Sequence, residues 1–153
     1  APLPEVGELA NLVRERKNGN AGYYNINTHL NATNICVYRC TFCAFRSDLR
    51  DAKGYWMQDD AILERGAEAV ANGCTEMHIV GGLHPKLPFS YYTDMLAAIR
   101  ATAPQVHIKA FTAVELTHLA RIHKRDRKGQ PGAGTIKGML EDLKRLLKLS
   151  QIG

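Results

Sequence analysis

No apolar stretch in this chain approaches the roughly 18 residues that span a bilayer, so the sequence offers no membrane-crossing helix. The first residues, Ala1-Pro-Leu-Pro-Glu, have neither the basic region nor the apolar run of a secretory signal. The expected compartment is therefore the cytoplasm. Cysteine is sparse, with four in 153 residues, and three of those sit too close together for an ordinary disulfide framework. Acidic charge is scarce at one end only. Residues 1–120 carry eleven Lys/Arg against twelve Asp/Glu, whereas residues 121–153 carry nine against three. A basic patch can bind nucleic acid. No aromatic residue interleaves with Arg121, Lys124, Arg125, Arg127 and Lys128, and the segment reads as a solvated linker instead.

The length suits one domain, and an apolar fraction of 45% is that of an ordinary folded chain. The most informative feature is Cys36-Val-Tyr-Arg-Cys40-Thr-Phe-Cys43, a C-x3-C-x2-C loop with Phe42 before the last cysteine. A structural zinc site normally takes four protein ligands. Here the only other cysteine is Cys74 and the nearest histidine on the N-terminal side is His29, so zinc is the subordinate reading. Cysteine thiolates also hold iron–sulfur clusters. A cubane held by three of them keeps one iron open, which suits a cluster that does chemistry. Cys74 reads as an inert buried thiol at a helix end.

Helical spacing covers Glu5 to Lys17, with Val6, Leu9, Ala10 and Val13 on one face. Tyr23 to Asn31 alternates and predicts a strand, with Asn25, Asn27, His29 and Asn31 on its polar side. Asp59 reads as the N-cap of a helix through Asn72, and Gly73 as its stop. Glu76 to Val80 and Val106 to Thr112 read as strands. Ser90 to Thr102 and Val114 to His123 read as helices. Arg125 to Gly134 reads as a flexible linker. Ile136 to Leu149 reads as an amphipathic helix, with Glu141 and Arg145 as a supporting i, i+4 pair.

Strands alternating with helices predict an α/β fold with parallel strands and crossover helices. Ligands in such folds bind at the carboxyl edge of the sheet. The cysteine loop follows the first predicted strand. Gly81-Gly82-Leu83-His84-Pro85 follows the second, and Glu115 lies just beyond the third. All three should share that edge. Gly81 and Gly82, lacking side chains, could let an amino-acid or nucleotide group approach the backbone closely.

The cysteine loop resembles the signature of the radical S-adenosylmethionine superfamily. Longer stretches narrow the likeness: Tyr23 to Asn34, Cys43-Ala-Phe-Arg46, Gly81 to Pro85, and His107 to Glu115. These resemble the aminofutalosine (aminodeoxyfutalosine) synthases of the futalosine route to menaquinone. Cyclic dehypoxanthinyl futalosine synthases and deazaflavin-forming enzymes share much of the pattern. The resemblance implies that Cys36, Cys40 and Cys43 ligate a [4Fe–4S] cluster whose open iron takes S-adenosyl-L-methionine as cosubstrate. It implies joining of the 5′-deoxyadenosyl radical to 3-[(1-carboxyvinyl)oxy]benzoate, with loss of a carboxylate, to give 6-amino-6-deoxyfutalosine. It also implies an electron donor such as flavodoxin or ferredoxin. Phe42, Gly81, Gly82 and Glu115 are the candidate cofactor contacts. His29, His84, Arg46 and Lys109 are candidates near the substrate, with Arg46 and Lys109 suited to its carboxylates. His84 is expected in an exposed turn.

The family's barrel needs more than the three strand–helix units found here. The expected organisation is the N-terminal part of a partial parallel (β/α) barrel over 1–124, a basic linker over 125–135, and the amphipathic helix over 136–150. That helix would cover the exposed sheet or serve as a dimer face. Two other classes stay open: a non-catalytic iron–sulfur module derived from the enzyme, and an interaction protein acting through residues 121–148.

Overall fold

The computed structural model describes residues 2–130 and 133–146. Among these residues there are five helices and three short strands: α1 (Leu3–Asn18), β1 (Asn27–Leu30), α2 (Asp59–Ala71), β2 (Glu76–Ile79), α3 (Phe89–Thr102), β3 (His107–Ala110), α4 (Ala113–Asp126) and α5 (Ile136–Leu146), alternating from β1 to α4. The strands form one parallel sheet in the order β1-β2-β3. This is a small α/β fold of the expected class.

Period-two alternation divides the sheet into two faces. Leu30, Met77 and Ile79 point one way and are buried in a core with Ile62 and Ala69 of α2 and Met95, Leu96 and Ile99 of α3. The other face carries Asn27 and His29, Glu76 and His78, and His107 and Lys109, none of which is buried. In-register pairing lines these up across the strands: Asn27 with Glu76 and His107, and His29 with His78 and Lys109.

The strands are shorter than the alternation suggested. β1 starts at Asn27, and Tyr23 and Tyr24 before it are 90% and 89% exposed. A strand extends only as far as its partner, and β2 offers β1 four residues. Helix α2 is capped by Gln58 without a side-chain bond, and the expected cap Asp59 is instead its first residue. There Asp59 and Asp60 complement the positive end of the helix dipole. Gly73 ends the helix as expected, in a left-handed conformation with φ of 64°. Helix α1 forms where predicted, but none of its residues is buried, and Leu3, Leu9 and Val13 stand exposed.

Helix α4 runs to Asp126, into the segment expected as linker. Its last turn is fastened, because the Asp126 carboxylate accepts the Phe89 N–H at 2.7 Å. Helix α5 packs on α4, with Met139 and Leu143 reaching the core. Asp142 on α5 takes the His123 Nε2 at 2.9 Å, Arg127 at 2.9 Å and Arg145 at 3.2 Å. Arg145 thus pairs one turn back with Asp142 and not with Glu141. Residues 147–149 of the expected helix lie outside the described residues.

Candidate functional site

The segment from Thr33 to Trp56 leaves β1 and returns before α2, and its base is closed by buried polar side chains. Asn34 is the hub. Its Nδ2 donates to Ser47 Oγ at 3.1 Å and to the Lys53 carbonyl at 2.8 Å, while its Oδ1 accepts the Tyr55 N–H at 2.8 Å. Thr33 Oγ1 donates to the Tyr55 carbonyl at 2.6 Å. Backbone bonds from Ser47 to Asn34 at 2.9 Å and from Cys36 to Ser47 at 3.2 Å complete the closure. Sequence reasoning assigned Asn34 no role. An asparagine directly before a cysteine loop was the available signal, since such a residue satisfies loop backbone that no ladder can reach.

Beyond this closure the loop opens to solvent. Cys36 is half-buried, Cys40 and Cys43 are exposed, and none is in a disulfide. The Cys43 N–H donates to the Cys40 carbonyl at 3.1 Å, a turn that keeps the two thiols on one short arc. Among the described residues no three His, Cys, Asp or Glu side chains converge as a single metal ion requires. A cubane makes a different demand, since each thiolate binds a different iron. Three free, accessible thiols on one loop fit that donor set. Phe42 beside them is 91% exposed. Cys74 lies apart, buried in the core after α2.

Arg46 belongs to the loop's own structure. Its guanidinium pairs with Asp48 and donates from Nε to the Cys36 carbonyl at 3.2 Å. The bond to Asp48 raises the Arg46 pKa above its ordinary value, against the effect of burial, and the nearby Cys36 and Cys43 add to the rise. In return, Arg46 first and Arg39 second hold the Asp48 carboxyl below the usual range.

The three features expected at the carboxyl edge do meet. The Gly82 N–H donates to the Thr33 carbonyl at 2.7 Å, and Val37 N–H to the Leu83 carbonyl at 3.1 Å. The Gly81 N–H donates to Glu115 Oε1 at 2.9 Å. A Cβ on Gly82 would lie 2.3 Å from the Ile35 carbonyl oxygen, so the chain entering the cysteine loop itself occupies the space above this glycine. Glu115 closes a capping box on α4, its Oε2 accepting from Thr112 N–H at 2.7 Å and Thr112 Oγ1 at 2.6 Å. One carboxylate therefore ties the glycine turn to a helix start.

His84 is not in an exposed turn. It is 3% exposed, and its Nδ1 accepts the N–H groups of Lys86 and Leu87, both at 3.1 Å. The ring folds inward because it satisfies two backbone donors that the turn leaves over. With Nδ1 accepting, the neutral ring carries its proton on Nε2, which has no partner among the described residues. Burial lowers the pKa of His84, and likewise that of His118, whose Nε2 meets the His84 carbonyl at 3.1 Å. His29 and Lys109 share the open row of the sheet with His78, which sequence reasoning missed although the alternation Glu76-Met77-His78-Ile79 placed it there.

Fold and site together define a parallel β/α protein with a three-thiol loop at the carboxyl edge of its sheet. The chain belongs to the radical SAM superfamily: the family model of that description matches residues 30–149, reaching over α5. Members of this family use a [4Fe–4S] cluster and S-adenosyl-L-methionine. The chain is 40% identical over 120 residues to an aminodeoxyfutalosine synthase of Streptomyces coelicolor, covering 78% of this chain and 31% of that protein. It is 42% identical over 121 residues to the enzyme of that name from Thermus thermophilus, covering 78% and 32%. It is 38% identical over 120 residues to a 5-amino-6-(D-ribitylamino)uracil–L-tyrosine 4-hydroxyphenyl transferase of Methanopyrus kandleri, covering 78% and 30%. The chain thus spans about a third of the length of these relatives.

Proposed function

We propose that this chain is the cluster-bearing part of a radical enzyme of the aminodeoxyfutalosine synthase type, built as a partial (β/α) barrel. Cys36, Cys40 and Cys43 hold the [4Fe–4S] cluster, and the observation that carries this is their position as three free thiols on one exposed loop braced from below by Asn34 and Arg46. When bound, the cluster supplies the electron that splits S-adenosylmethionine into methionine and a 5′-deoxyadenosyl radical. The chain's own residues position the parts. Glu115 fixes the Gly81 turn, and that turn with Gly82 and Leu83 fixes the backbone entering the cysteine loop. Phe42 stands free to cover the cosubstrate. The adenosyl radical then adds to the enol-ether double bond of 3-[(1-carboxyvinyl)oxy]benzoate, and rearrangement with loss of the enol-ether carboxylate and return of the electron gives 6-amino-6-deoxyfutalosine. A soluble one-electron carrier such as a flavodoxin or ferredoxin serves as reductant.

A second reading is favoured by the similar identity to the 4-hydroxyphenyl transferases, which would make the product a deazaflavin precursor. Product analysis separates the two. Anaerobic, reconstituted and reduced protein is given S-adenosylmethionine with the enol ether, or with L-tyrosine and the ribityl uracil. Adenosylated product from the enol ether supports the first reading. A product from tyrosine supports the second. Cleavage of S-adenosylmethionine with neither substrate consumed contradicts both assignments for this chain while leaving the cluster in place.

A further inference from the structure

A cationic surface borders the cysteine loop. Arg121, Lys124 and Arg125 share one face of α4, at i, i+3 and i+4, and Lys128 follows the helix end; all four are exposed. Arg125 donates to the carbonyls of Pro85 at 3.2 Å and Leu87 at 3.0 Å, which sets the exposed Lys86 between them beside that face. Both carboxylates of α4 are engaged elsewhere. Glu115 is buried in its capping box and takes the Gly81 N–H, while Asp126 takes the Phe89 N–H and pairs with Arg125. Lys86, Arg121, Lys124 and Lys128 have no ion-pair partner among the described residues, so their charge faces outward uncompensated.

This surface touches the cysteine loop in two places. Arg121 Nη1 lies 3.5 Å from the Tyr38 hydroxyl, and Tyr38 stands two residues from both Cys36 and Cys40. At most about 7 Å of chain separates its Cα from that of either cysteine. The Val37 N–H donates to the carbonyl of Leu83, three residues before Lys86. A partner seated on these cations is therefore held against the loop. We infer that the face made by Lys86, Arg121, Lys124 and Lys128 docks the reductant, an acidic protein carrying one electron. This rests on the cluster assigned above to Cys36, Cys40 and Cys43. One electron leaves the reduced carrier, which is oxidised by one, and passes to the cluster, which is reduced by one. No bond of this chain is made or broken and no proton is taken up. Opposite charge steers the encounter and orients the carrier, and the contact is small and short-lived, as electron-transfer contacts are. Contiguity with the thiol loop favours a redox carrier over a nucleic acid.

The test reads the surface and not activity. Oxidised flavodoxin is titrated into the 153-residue chain at low salt and followed by amide NMR. Saturable shifts are expected at residues 84–87, at 118–128 and at Tyr38, with Kd rising as salt is added. Arg121→Glu and Lys86→Glu should each weaken binding about ten-fold, and Arg121→Lys should keep most of the affinity. Lys17→Glu makes the same change in net charge at an exposed position on α1 and should leave binding as it was. Absent or salt-independent binding, shifts away from this face, or equal weakening by Lys17→Glu would overturn the docking surface. So would displacement of flavodoxin from the same amides by a lower concentration of duplex DNA. Cluster content is read separately by iron and sulfide analysis. A chain that loads its cluster yet ignores flavodoxin overturns the docking surface alone, and a chain that binds flavodoxin here yet loads no cluster overturns the cluster reading.

Discussion

Asn34 and Gly82 are the two residues on which the cysteine loop most depends. Asn34 makes three buried or half-buried hydrogen bonds. Asn34→Ala leaves those groups without their partner and should lower stability by about 1–3 kcal/mol in denaturant unfolding. Asn34→Asp keeps the Oδ1 acceptor but loses both donated bonds, and should also destabilise. At Gly82 an added Cβ meets backbone, which cannot swing aside as a side-chain tip can. Gly82→Ala should therefore displace the Ile35 segment at a cost of about 1–3 kcal/mol and reduce cluster loading. Wild-type loading of that variant would show that the close approach does not govern the loop. Tyr92 gives the opposite expectation. Its hydroxyl is buried without a partner among the described residues, and burial, the charge of Tyr91 and that of Glu115 hold its pKa far above the ordinary value. Tyr92→Phe removes an unsatisfied group and should leave the melting temperature unchanged or raised. A clear loss of stability would reveal a polar partner for that oxygen.

Among the elements, strand–helix alternation was readable because apolar residues recur every second position in strands and every third or fourth in helices. Strand lengths were not, because a strand ends where its neighbour stops pairing. His84 was misplaced for a related reason: its burial follows from two surplus N–H groups in the turn beyond Pro85, and no local pattern announces them. The core of α3 was legible, and Ile99, wholly buried between the sheet and the helices, is its most sensitive position. Ile99→Ala should cost about 2–5 kcal/mol. The clasp of α5 was not legible, since the Glu141–Arg145 spacing suggested a surface pair while the buried attachment is Asp142 to His123. Bonding to His123 first, and then the charges of Arg127 and Arg145, lowers the Asp142 pKa against the effect of burial. A carboxylate whose pKa falls on folding stabilises above its unfolded value and loses that contribution as pH drops through the folded one. The docking of α5 should therefore hold from neutral pH down to the ordinary carboxylate range and weaken below it. Asp142→Asn should flatten this acid dependence in hydrogen exchange of α5 amides. An unchanged acid profile would place the titrating group elsewhere.

For the molecule as a whole, the meeting of cysteine loop, glycine turn and Glu115 at one edge was foreseeable from topology alone. Each follows a strand, and parallel strands send their carboxyl ends to the same side. What topology did not reveal was that these parts hold one another, through Gly81 to Glu115, Gly82 to Thr33, and Val37 to Leu83. The face of the sheet bearing His29, His78 and Lys109 and the apolar side of α1 are the surfaces that the described residues leave uncovered. Anaerobic reconstitution with iron and sulfide decides whether the three loop thiols carry a cluster. About four irons and four sulfides per chain with a cubane spectroscopic signature are expected. That signature should be lost in Cys36→Ala, Cys40→Ala and Cys43→Ala and retained in Cys74→Ala. Failure of the folded wild-type chain to take up a cluster, or full loading of the three loop variants, would contradict the cluster assignment.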